Sequence, residues 1–571
     1  MRSDLIDTAM GRRPADVVFR HARLVDVFTA TVVETDFSVS GGYIVGFGAG
    51  DAEREVDLRG KFVCPGFIDG HVHLESSMVT PAQFARTVVP LGTTAVVADP
   101  HEIANVAGVA GIHYILAATE GLPLRVFVML PSCVPATPLE TSGARLGARD
   151  LAALKSYPRV LGLGEVMDVP GVIGRRRDMM EKLKAYRDEV IDGHAPGLGG
   201  KELDAYVLAG IGSDHESVDA AEAIEKLRRG MRLMIREGSV TRNLRALLPV
   251  VTAANARRCL LVTDDRHPSD LLREGHLNYL VRLAVEGGLD AVTAIQMATL
   301  NAAEYFRLRD LGAIAPGYRA DFQVLEDLSA FRRPPAQVYQ GGRLVAEGGA
   351  MAVEVPEYRD QMVTDTVRMA ALLVEQLRVP ASGTGNWPDA APVADVIGLI
   401  PHQIVTKLLK VKAPVVDGAF VAEPRLDLQK LAVVERHHAS GNVGVALVSG
   451  FGLRAGALAT SVAHDSHNIV VLGVDDEDML LAVDAVAAMG GGLAVVADRL
   501  IRATLPLPIA GLMSTRSMEE ADAALRNCVG EARALGVPDG FDPFMTMSFL
   551  ALPVVPGPKL TDLGLVLVKP S

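Results

Sequence analysis

Short apolar segments alternate with helical patterns through residues 62–310 of the chain. The segments are FVCPGFID, TTAVVAD, LRVFVML, RVLGLGE, DEVIDGH, LAGIGSD, MRLMIRE and CLLVTDD. Each is followed by a stretch in which apolar residues recur at helical spacing. Eight strand–helix units over about 250 residues match the size and period of a TIM-type barrel. The pattern therefore predicts an α/β protein built around a parallel (β/α)₈ barrel.

The two flanks of this segment show a different pattern, in which β-branched and polar residues alternate. Alternation runs through residues 1–61, with a turn at Gly41-Gly42, and returns in residues 311–358. A period of two is typical of strands that bury one face. We therefore expect the flanks to combine into one small β-sandwich domain beside the barrel.

The remaining residues divide into a connection and a further domain. Residues 359–395 predict a helix and a linker, because 378–395 is rich in Pro, Gly, Ala and Asp. Residues 396–571 mix strand patterns such as VGVALVSG and NIVVLGV with helical ones such as EDMLLAVDAVAAMG. This mixture predicts a separate C-terminal α+β domain.

Composition and charge exclude several classes of partner. Aromatic residues make up 5% of the 571 residues, and the net charge is −13 without a long basic run. Stacking on bases and attraction to anionic surfaces require the opposite, so we expect no nucleic-acid or membrane partner. No apolar run approaches the ~20 residues of a membrane span, and the four cysteines are widely separated. We expect a cytoplasmic protein whose broad surfaces favour a homodimer.

Seven of the eight apolar segments end in polar residues, and six of these seven ends carry a side chain that could bind a metal or transfer a proton. The first ends in His71 and His73, whose spacing places both imidazoles on one face of a strand. Later segments end in Asp99, His101, Glu102, Glu165, His194, His215 and Asp264. Four of the imidazoles and two of the carboxylates are too many ligands for one catalytic ion with an open position. They predict two divalent ions that share a bridging carboxylate, and Zn, Mn and Fe all suit such ligands.

The motifs around these strand ends resemble the amidohydrolase superfamily and, within it, the bacterial adenine deaminase family. They are PGFIDGHVHLESSM, ADPHEIANV, GLGEVMD, DGHAPGLGGKEL, SDHES, MIREGS and TDDRHP. The similarity extends to SVAHDSHNIVV at 461–471 and LPLPIAGLMST at 505–515, so it covers nearly the whole chain. It implies an enzyme that hydrolyses adenine to hypoxanthine and ammonia.

The resemblance also implies how the metal ligands divide between two ions. The first ion would take His71, His73 and Asp264, and the second would take His194 and His215. Glu165 would bridge the ions, at the place where many relatives carry a carboxylated lysine. Manganese or iron would be the metal, with zinc as a further possibility.

The implied mechanism begins with a bridging hydroxide that attacks C6 of adenine. Glu102 is the candidate that protonates N1, His101 is the alternative, and Asp264 would carry the hydroxide's proton to the leaving amine. Weaker candidates for substrate contacts are Asp99, Ser76, Ser77, Arg236 and Ser239. For Arg236, a structural ion pair is an equally good hypothesis.

Several alternatives stay open at this point. The same barrel could act on a cyclic amide, an N-acetylsugar or another aminopurine, or it could be an inactive binding protein. The mononuclear zinc deaminase class is excluded, because the chain has no P-C-x-x-C motif. His464, Asp465 and His467 could bind metal by their spacing, cap a loop at a domain interface, or belong to a domain that covers the barrel mouth.

Overall fold

The computed structural model describes residues 2–48, 50–328, 331–381, 392–400 and 403–568. The described N-terminal part begins with one helix, α1 (Arg2–Ala9), and five strands. These strands are β1 (Val17–Asp26), β2 (Thr31–Ser40), β3 (Tyr43–Phe47), β4 (Glu55–Asp57) and β5 (Phe62–Pro65). β1 pairs antiparallel with β2 and parallel with β4 and β5, so it lies in the middle of this flank.

A barrel of eight parallel strands follows, within residues 62–310, all of which are described. The strands are β6 (Phe67–Val72), β7 (Thr93–Ala98), β8 (Arg125–Leu130), β9 (Val160–Val166), β10 (Val190–Gly193), β11 (Ser213–Asp214), β12 (Arg232–Arg236) and β13 (Cys259–Val262). Gly212 N–H donates to Ile191 O at 2.9 Å and so joins β11 to β10. Asp264 N–H donates to His71 O at 3.0 Å, which closes the barrel between β13 and β6. The predicted parallel barrel is confirmed.

The barrel helices follow the strands that precede them. They are α2 (Pro81–Val88), α3 (His101–Ala107), α4 (Val109–Ala118), α5 (Ala148–Leu154), α6 (Val169–Ile173), α7 (Arg177–Ala185), α8 (Gly200–Leu208), α9 (Ala220–Arg228), α10 (Leu244–Leu247), α11 (Pro268–Arg273), α12 (Leu277–Glu286), α13 (Ala291–Met297) and α14 (Leu300–Tyr305). Local sequence sets their starts. The Asp219 carboxylate, for example, accepts hydrogen bonds from two backbone N–H groups in the first turn of α9.

The second flank returns to the N-terminal sheet. It adds β14 (Phe322–Leu325), β15 (Gln337–Gln340), β16 (Arg343–Glu347) and β17 (Ala350–Met351), with β14 antiparallel to β5, to give nine strands among the described residues. The rings of Phe37 on β2 and Phe322 on β14 are 5.3 Å apart, although two strands separate them in the sheet. Strands lie about 4.8 Å apart, so the sheet must curl to bring them together. The sandwich expected from the flanks is one curled sheet around its own aromatic core.

The connection at 359–395 differs from its prediction. In place of an α-helix, the described part forms two 3₁₀ turns, Gln361–Val363 and Val374–Leu377, followed by the short strand β18 (Val379–Pro380). Most of the predicted linker, residues 382–391, lies outside the described residues.

The C-terminal residues form a mixed sheet with helices, as predicted. The strands are β19 (Val393–Leu399), β20 (Thr406–Lys412), β21 (Val415–Val416), β22 (Ala419–Phe420), β23 (Leu428–Val434), β24 (Val443–Ser449), β25 (Ala457–Thr460), β26 (Ile469–Gly473), β27 (Gly492–Ala497), β28 (Leu500–Pro506), β29 (Gly557–Thr561) and β30 (Gly564–Val568). The helices are α15 (Asp476–Ala488), α16 (Met518–Ala534) and α17 (Pro543–Leu550). Among the described residues, eight strands pair in the order β20-β19-β24-β23-β26-β25-β27-β28.

This C-terminal sheet domain packs on the barrel. Ser514 N–H donates to Met78 O at 2.8 Å, and Asp562 accepts from Thr141 N–H at 2.9 Å. Asn468, in the loop between β25 and β26, donates to Thr141 O at 2.8 Å. The β25–β26 loop is therefore held beside the loops that follow the barrel strands. In the described part of the chain, no helix has the length and apolar character needed to cross a membrane.

Candidate metal centre and active site

The predicted metal ligands meet at the carboxyl ends of the barrel strands. His71 and His73 lie at the end of β6, Glu165 lies near the end of β9, and Asp264 follows β13; His194 and His215 follow β10 and β11. His71, His73, Glu165, His215 and Asp264 are each at most 4% exposed. Such burial of charged and polar side chains is costly unless they bind each other or an ion.

Glu165 stands between two pairs of imidazoles. Its Oε1 is 3.0 Å from His73 Nε2 and 3.4 Å from His71 Nε2. Its Oε2 is 2.8 Å from His194 Nδ1 and 3.4 Å from His215 Nε2. Each oxygen thus faces a different pair of nitrogen ligands, which is the arrangement that a bridging carboxylate requires.

The carboxylate of Asp264 lies beside the first pair of imidazoles, His71 and His73. Its Oδ1 is 3.1 Å from His73 Nε2 and 3.5 Å from His71 Nε2. The residue adopts a left-handed backbone conformation, with φ of 58°, which is uncommon for a residue with a side chain. Its own backbone closes the barrel against His71, so the turn that carries the carboxylate is fixed by main-chain hydrogen bonds.

The residues fit a pair of divalent cations. The ligand atoms of His71, His73 and Glu165 lie within 4.8 Å of one another, and so do those of Glu165, His194 and His215. His71 Nε2 and Glu165 Oε1 are buried without a hydrogen-bond partner among the described residues, and orphaned buried atoms of this kind fit a bound ion or water. His73 Nδ1 is 2.9 Å from Asp99 O, which leaves Nε2 free to bind a metal. Imidazole and carboxylate are ligands for divalent metals.

Electrostatics keep both carboxylates ionised. Burial raises the pKa of Glu165, but the imidazoles of His215 and His71 outweigh this effect and hold the pKa well below its usual range. Burial also raises the pKa of Asp264, but the guanidinium of Arg236 holds the pKa of this carboxyl group well below the usual range. Both side chains are therefore anionic at neutral pH, the form that binds cations.

Arg236 orients the Asp264 carboxylate, and Asp99 fixes the backbone of Glu165. Arg236, at the end of β12, donates to Asp264 Oδ2 at 2.8 Å and forms a bidentate ion pair with Glu216. Asp99 Oδ2 accepts from Glu165 N–H at 2.9 Å. A Cβ at Gly164 would collide with the Asp99 carboxylate, so glycine is needed for this approach. Both predicted substrate contacts thus make structural contacts that fix proposed ligands.

Glu102 is held by two histidines of the C-terminal domain. His464 Nδ1 approaches Glu102 Oε1, and His467 Nε2 approaches Glu102 Oε2. His101 Nε2 lies 3.4 Å from Glu102 Oε1, and His101 Nδ1 lies 3.5 Å from Glu165 Oε1. Both oxygens of Glu102 are therefore engaged within the protein, while His101 stands between Glu102 and the metal ligands.

A cavity of about 540 Å³ opens over this centre. Its floor includes His73, His101, Glu165, His215 and Asp264. The C-terminal domain supplies one wall, formed by Ile404, Val405, His464, Asp465, Phe549, Leu552, Pro553, Val554, Val555, Pro556 and Val568. A space of this volume, with a polar floor and a largely apolar wall, suits one small organic molecule.

Comparison with known proteins agrees with this architecture. The amidohydrolase family model matches residues 62–345, and the adenine deaminase C-terminal domain model matches residues 403–571. The chain is 53% identical to adenine deaminase 2 of Carboxydothermus hydrogenoformans, over 99% of this chain and 97% of that protein. The chain belongs to the adenine deaminase family. It is also 50% identical to the adenine deaminase of Nitratidesulfovibrio vulgaris strain Hildenborough, over 99% of this chain and 97% of the relative. As a member of the amidohydrolase family with these ligand clusters, it binds divalent metal.

Other predicted substrate contacts lie away from the cavity in this adenine deaminase family member. The Ser76 hydroxyl donates to Asp265 Oδ1, and Ser77 Oγ donates to Leu74 O at 2.6 Å. Ser239 Oγ accepts from His267 N–H at 2.8 Å. None of these three serines is among the residues that line the described cavity. Their hydroxyls support the loops that follow β6 and β12.

Three residues to which the sequence assigns no role also line the cavity. Glu216 Oε1 is 3.4 Å from His215 Nε2, and Asp265 and Phe549 line the same space. Glu216 and Asp265 each stand next to a predicted ligand in the motifs SDHES and TDDRHP, so their positions carried a signal. Phe549 had none, because its contribution depends on how the C-terminal domain packs.

Proposed function

We propose that the protein hydrolyses adenine to hypoxanthine and ammonia. The proposal rests on the position of Glu165. One carboxylate oxygen of this residue faces each pair of imidazoles, and a cavity of about 540 Å³ lies above them. Identity of 53% over 99% of the chain to a protein named adenine deaminase supports adenine as the substrate. Adenine is small enough for a cavity of this volume.

Two divalent ions would be held at the floor of the cavity. His71, His73 and Asp264 would bind the first, His194 and His215 would bind the second, and Glu165 would bridge them. When bound, the ions make a water molecule acidic enough to act as a nucleophile at neutral pH. All of these side chains except His194 are at most 4% exposed, and low exposure to water strengthens each charge interaction.

We propose that both ions are manganese or that both are iron, and zinc is a further candidate. The described cluster contains imidazole and carboxylate ligands, and the four cysteines are buried elsewhere, so no soft thiolate favours zinc or copper(I).

Asp264 would transfer the proton of the attacking water, and Glu102 with its neighbouring histidines would assist protonation of the purine ring. Arg236 keeps Asp264 ionised, so this carboxylate can accept a proton from the attacking water and pass it to the departing amine. Since both Glu102 oxygens are engaged by histidines, Glu102 would assist protonation of the ring through those imidazoles. His101, which lines the cavity 3.4 Å from Glu102, is the second candidate at this edge.

The proposal is tested by incubating the metal-loaded protein with adenine. Ultraviolet absorbance should shift as hypoxanthine forms, with one ammonia released for each adenine consumed, and chelated protein should be inactive. Turnover of another aminopurine or a cyclic amide, with adenine untouched, would overturn the substrate while leaving the metal centre standing.

We also propose that the chain forms a homodimer. The edge strand β28 exposes Leu500 and Ile501, which are 59% and 51% accessible in the single chain. Exposed apolar residues on a sheet edge favour association. Light scattering should give twice the mass of one chain, and a monomer at micromolar concentration would contradict this proposal.

A further inference from the structure

His464 is a polar side chain of the C-terminal domain with one nitrogen that the protein leaves unused. The residue is 8% exposed and lines the cavity above the metal ligands. Its Nδ1 faces Glu102 Oε1. Among the described residues, no group forms a hydrogen bond with its Nε2. An unpaired imidazole nitrogen in a cavity wall is available to a ligand.

The ring of His464 is fixed in one orientation. Its backbone N–H donates to Ser548 Oγ at 2.9 Å, and its ring stacks on Phe549 with centroids 6.2 Å apart. Glu102 holds the ring from the barrel side, across the domain boundary. These contacts come from α17 and from the start of α3, so packing of the two domains positions His464.

His467 determines the protonation of this group. Ala463 N–H donates to His467 Nδ1 at 3.1 Å, so the proton of a neutral His467 resides on Nε2 and is donated to Glu102. Glu102 is then an ionised acceptor for the Nδ1 proton of His464. Burial lowers the pKa of His464, but the Glu102 carboxylate outweighs it and raises the value to about 9. Both nitrogens of His464 therefore carry protons at neutral pH.

We propose that His464 is a substrate-binding residue that the C-terminal domain contributes to the barrel, and that its Nε2–H donates a hydrogen bond to a ring nitrogen of the purine. This inference rests on the proposed function. In the 9H tautomer of adenine, N1, N3 and N7 are acceptors and N9 carries a proton, and a charged donor gives one of these acceptors a stronger hydrogen bond than a neutral donor does. As water adds to the carbon that bears the amino group, electron density moves onto the ring, so the donor also stabilises that charge.

Glu102 becomes a positioning residue under this proposal. It holds His464 with one oxygen and is itself held by His467 with the other, like the carboxylate that orients a catalytic histidine in other hydrolases. The C-terminal domain thus completes the substrate site, in addition to covering it.

The test compares adenine with 1-deaza-, 3-deaza- and 7-deazaadenine, each of which lacks one ring nitrogen. The KM of adenine and the inhibition constants of the deaza compounds are measured for the wild type, His464→Ala and His464→Gln, with metal content checked for each. In the wild type, one deaza compound should bind about 10- to 100-fold more weakly than adenine, because a charge-assisted hydrogen bond is lost. In His464→Ala that preference should disappear, while kcat/KM for adenine falls by a similar factor.

The control variant is His438→Gln. His438 Nε2 lies 3.0 Å from Ser142 O across the same domain boundary, but His438 does not line the described cavity. This variant should keep the wild-type preference. Glu102→Gln should weaken the preference, since it leaves His464 without its ionised partner.

Two results would overturn the inference. Wild-type protein that binds adenine and all three deaza compounds equally forms no hydrogen bond to N1, N3 or N7, the acceptors of the ring. A preference that persists in folded, metal-loaded His464→Ala would assign the contact to another residue. In both cases the wild type would still deaminate adenine, whereas failure of the proposed function would appear as the absence of that turnover.

Discussion

Replacement of Glu165 by glutamine perturbs the metal centre most selectively. The two oxygens of Glu165 face imidazole nitrogens at 2.8 to 3.4 Å, on opposite sides of the carboxylate. Glutamine has nearly the same shape, but it turns one oxygen into an N–H donor and removes the bridging negative charge. One ion loses a ligand, and both ions lose a neighbouring anion.

A lower limit for the loss of metal affinity in Glu165→Gln can be estimated. Removing a group that merely orients a metal ligand costs 10- to 100-fold in affinity. Since Glu165 would itself bind both ions, we expect at least about 100-fold weaker binding of each, or about 2.7 kcal/mol. Metal content after dialysis against a weak chelator, measured by mass spectrometry, should fall below one ion per chain. Adenine turnover should fall with it.

Asp192→Asn is the matched control for Glu165→Gln. Asp192 is a fully buried carboxyl group on the neighbouring strand β10, but its partners are Tyr305 and Ser213 rather than the imidazole cluster. This variant should keep both ions. If Glu165→Gln also retains two ions and full turnover, a bridging role for Glu165 is refuted.

Three further predictions concern orientation, pH dependence and packing. Arg236→Met leaves Asp264 and Glu216 without their shared cation, so kcat/KM for adenine should fall by at least about 10-fold, with Arg236→Lys less affected; unchanged kinetics would refute the orienting role. Burial lowers the pKa of Lys559 to about 7 from 10.5, so the folded state binds this proton less tightly than the unfolded state. The free energy of unfolding of the wild type, relative to Lys559→Met, should therefore rise between about pH 7 and 10.5, by up to about 1.4 kcal/mol per pH unit; urea titrations that show no change would contradict this. Phe322→Ala removes a ring packed on Phe19, Phe37 and Tyr339, and should destabilise the curled sheet by about 3–5 kcal/mol in urea unfolding; a loss below 1 kcal/mol would show that the sheet does not depend on this core.

The barrel and its strand-end residues could be predicted from the sequence because the signal is local. Each apolar segment lies on a barrel strand, and the polar residue after it must then lie at one face of the barrel. Even β11, with only Ser213 and Asp214 in ladder pairing, is predicted by the apolar segment LAGIGSD.

Contacts between distant segments could not be predicted in this way. Glu102 and His464 are 362 residues apart in the chain, and nothing in either motif indicates that they meet. Arg236 pairs with Glu216 at the neighbouring strand end, and the sequence around Arg236 does not indicate this partner. Such pairings depend on the order of strands in the barrel and on docking of the C-terminal domain.

The helix expected within 359–395 is a further case in which the local sequence pattern does not predict the structure. Its described residues form two 3₁₀ turns that follow the surfaces of neighbouring domains. Contacts with those surfaces, such as Arg368 N–H donating to Arg436 O at 2.7 Å, take the place of the backbone hydrogen bonds of an α-helix.

The most direct test is a titration of metal-free protein with manganese, iron(II) or zinc, followed by the rate of adenine deamination. A centre built around a bridging Glu165 predicts that the rate rises until two metal equivalents per chain are bound and then stays constant, with hypoxanthine and ammonia formed in equal amounts. Full activity at one equivalent, or no conversion of adenine with two equivalents bound, would contradict it.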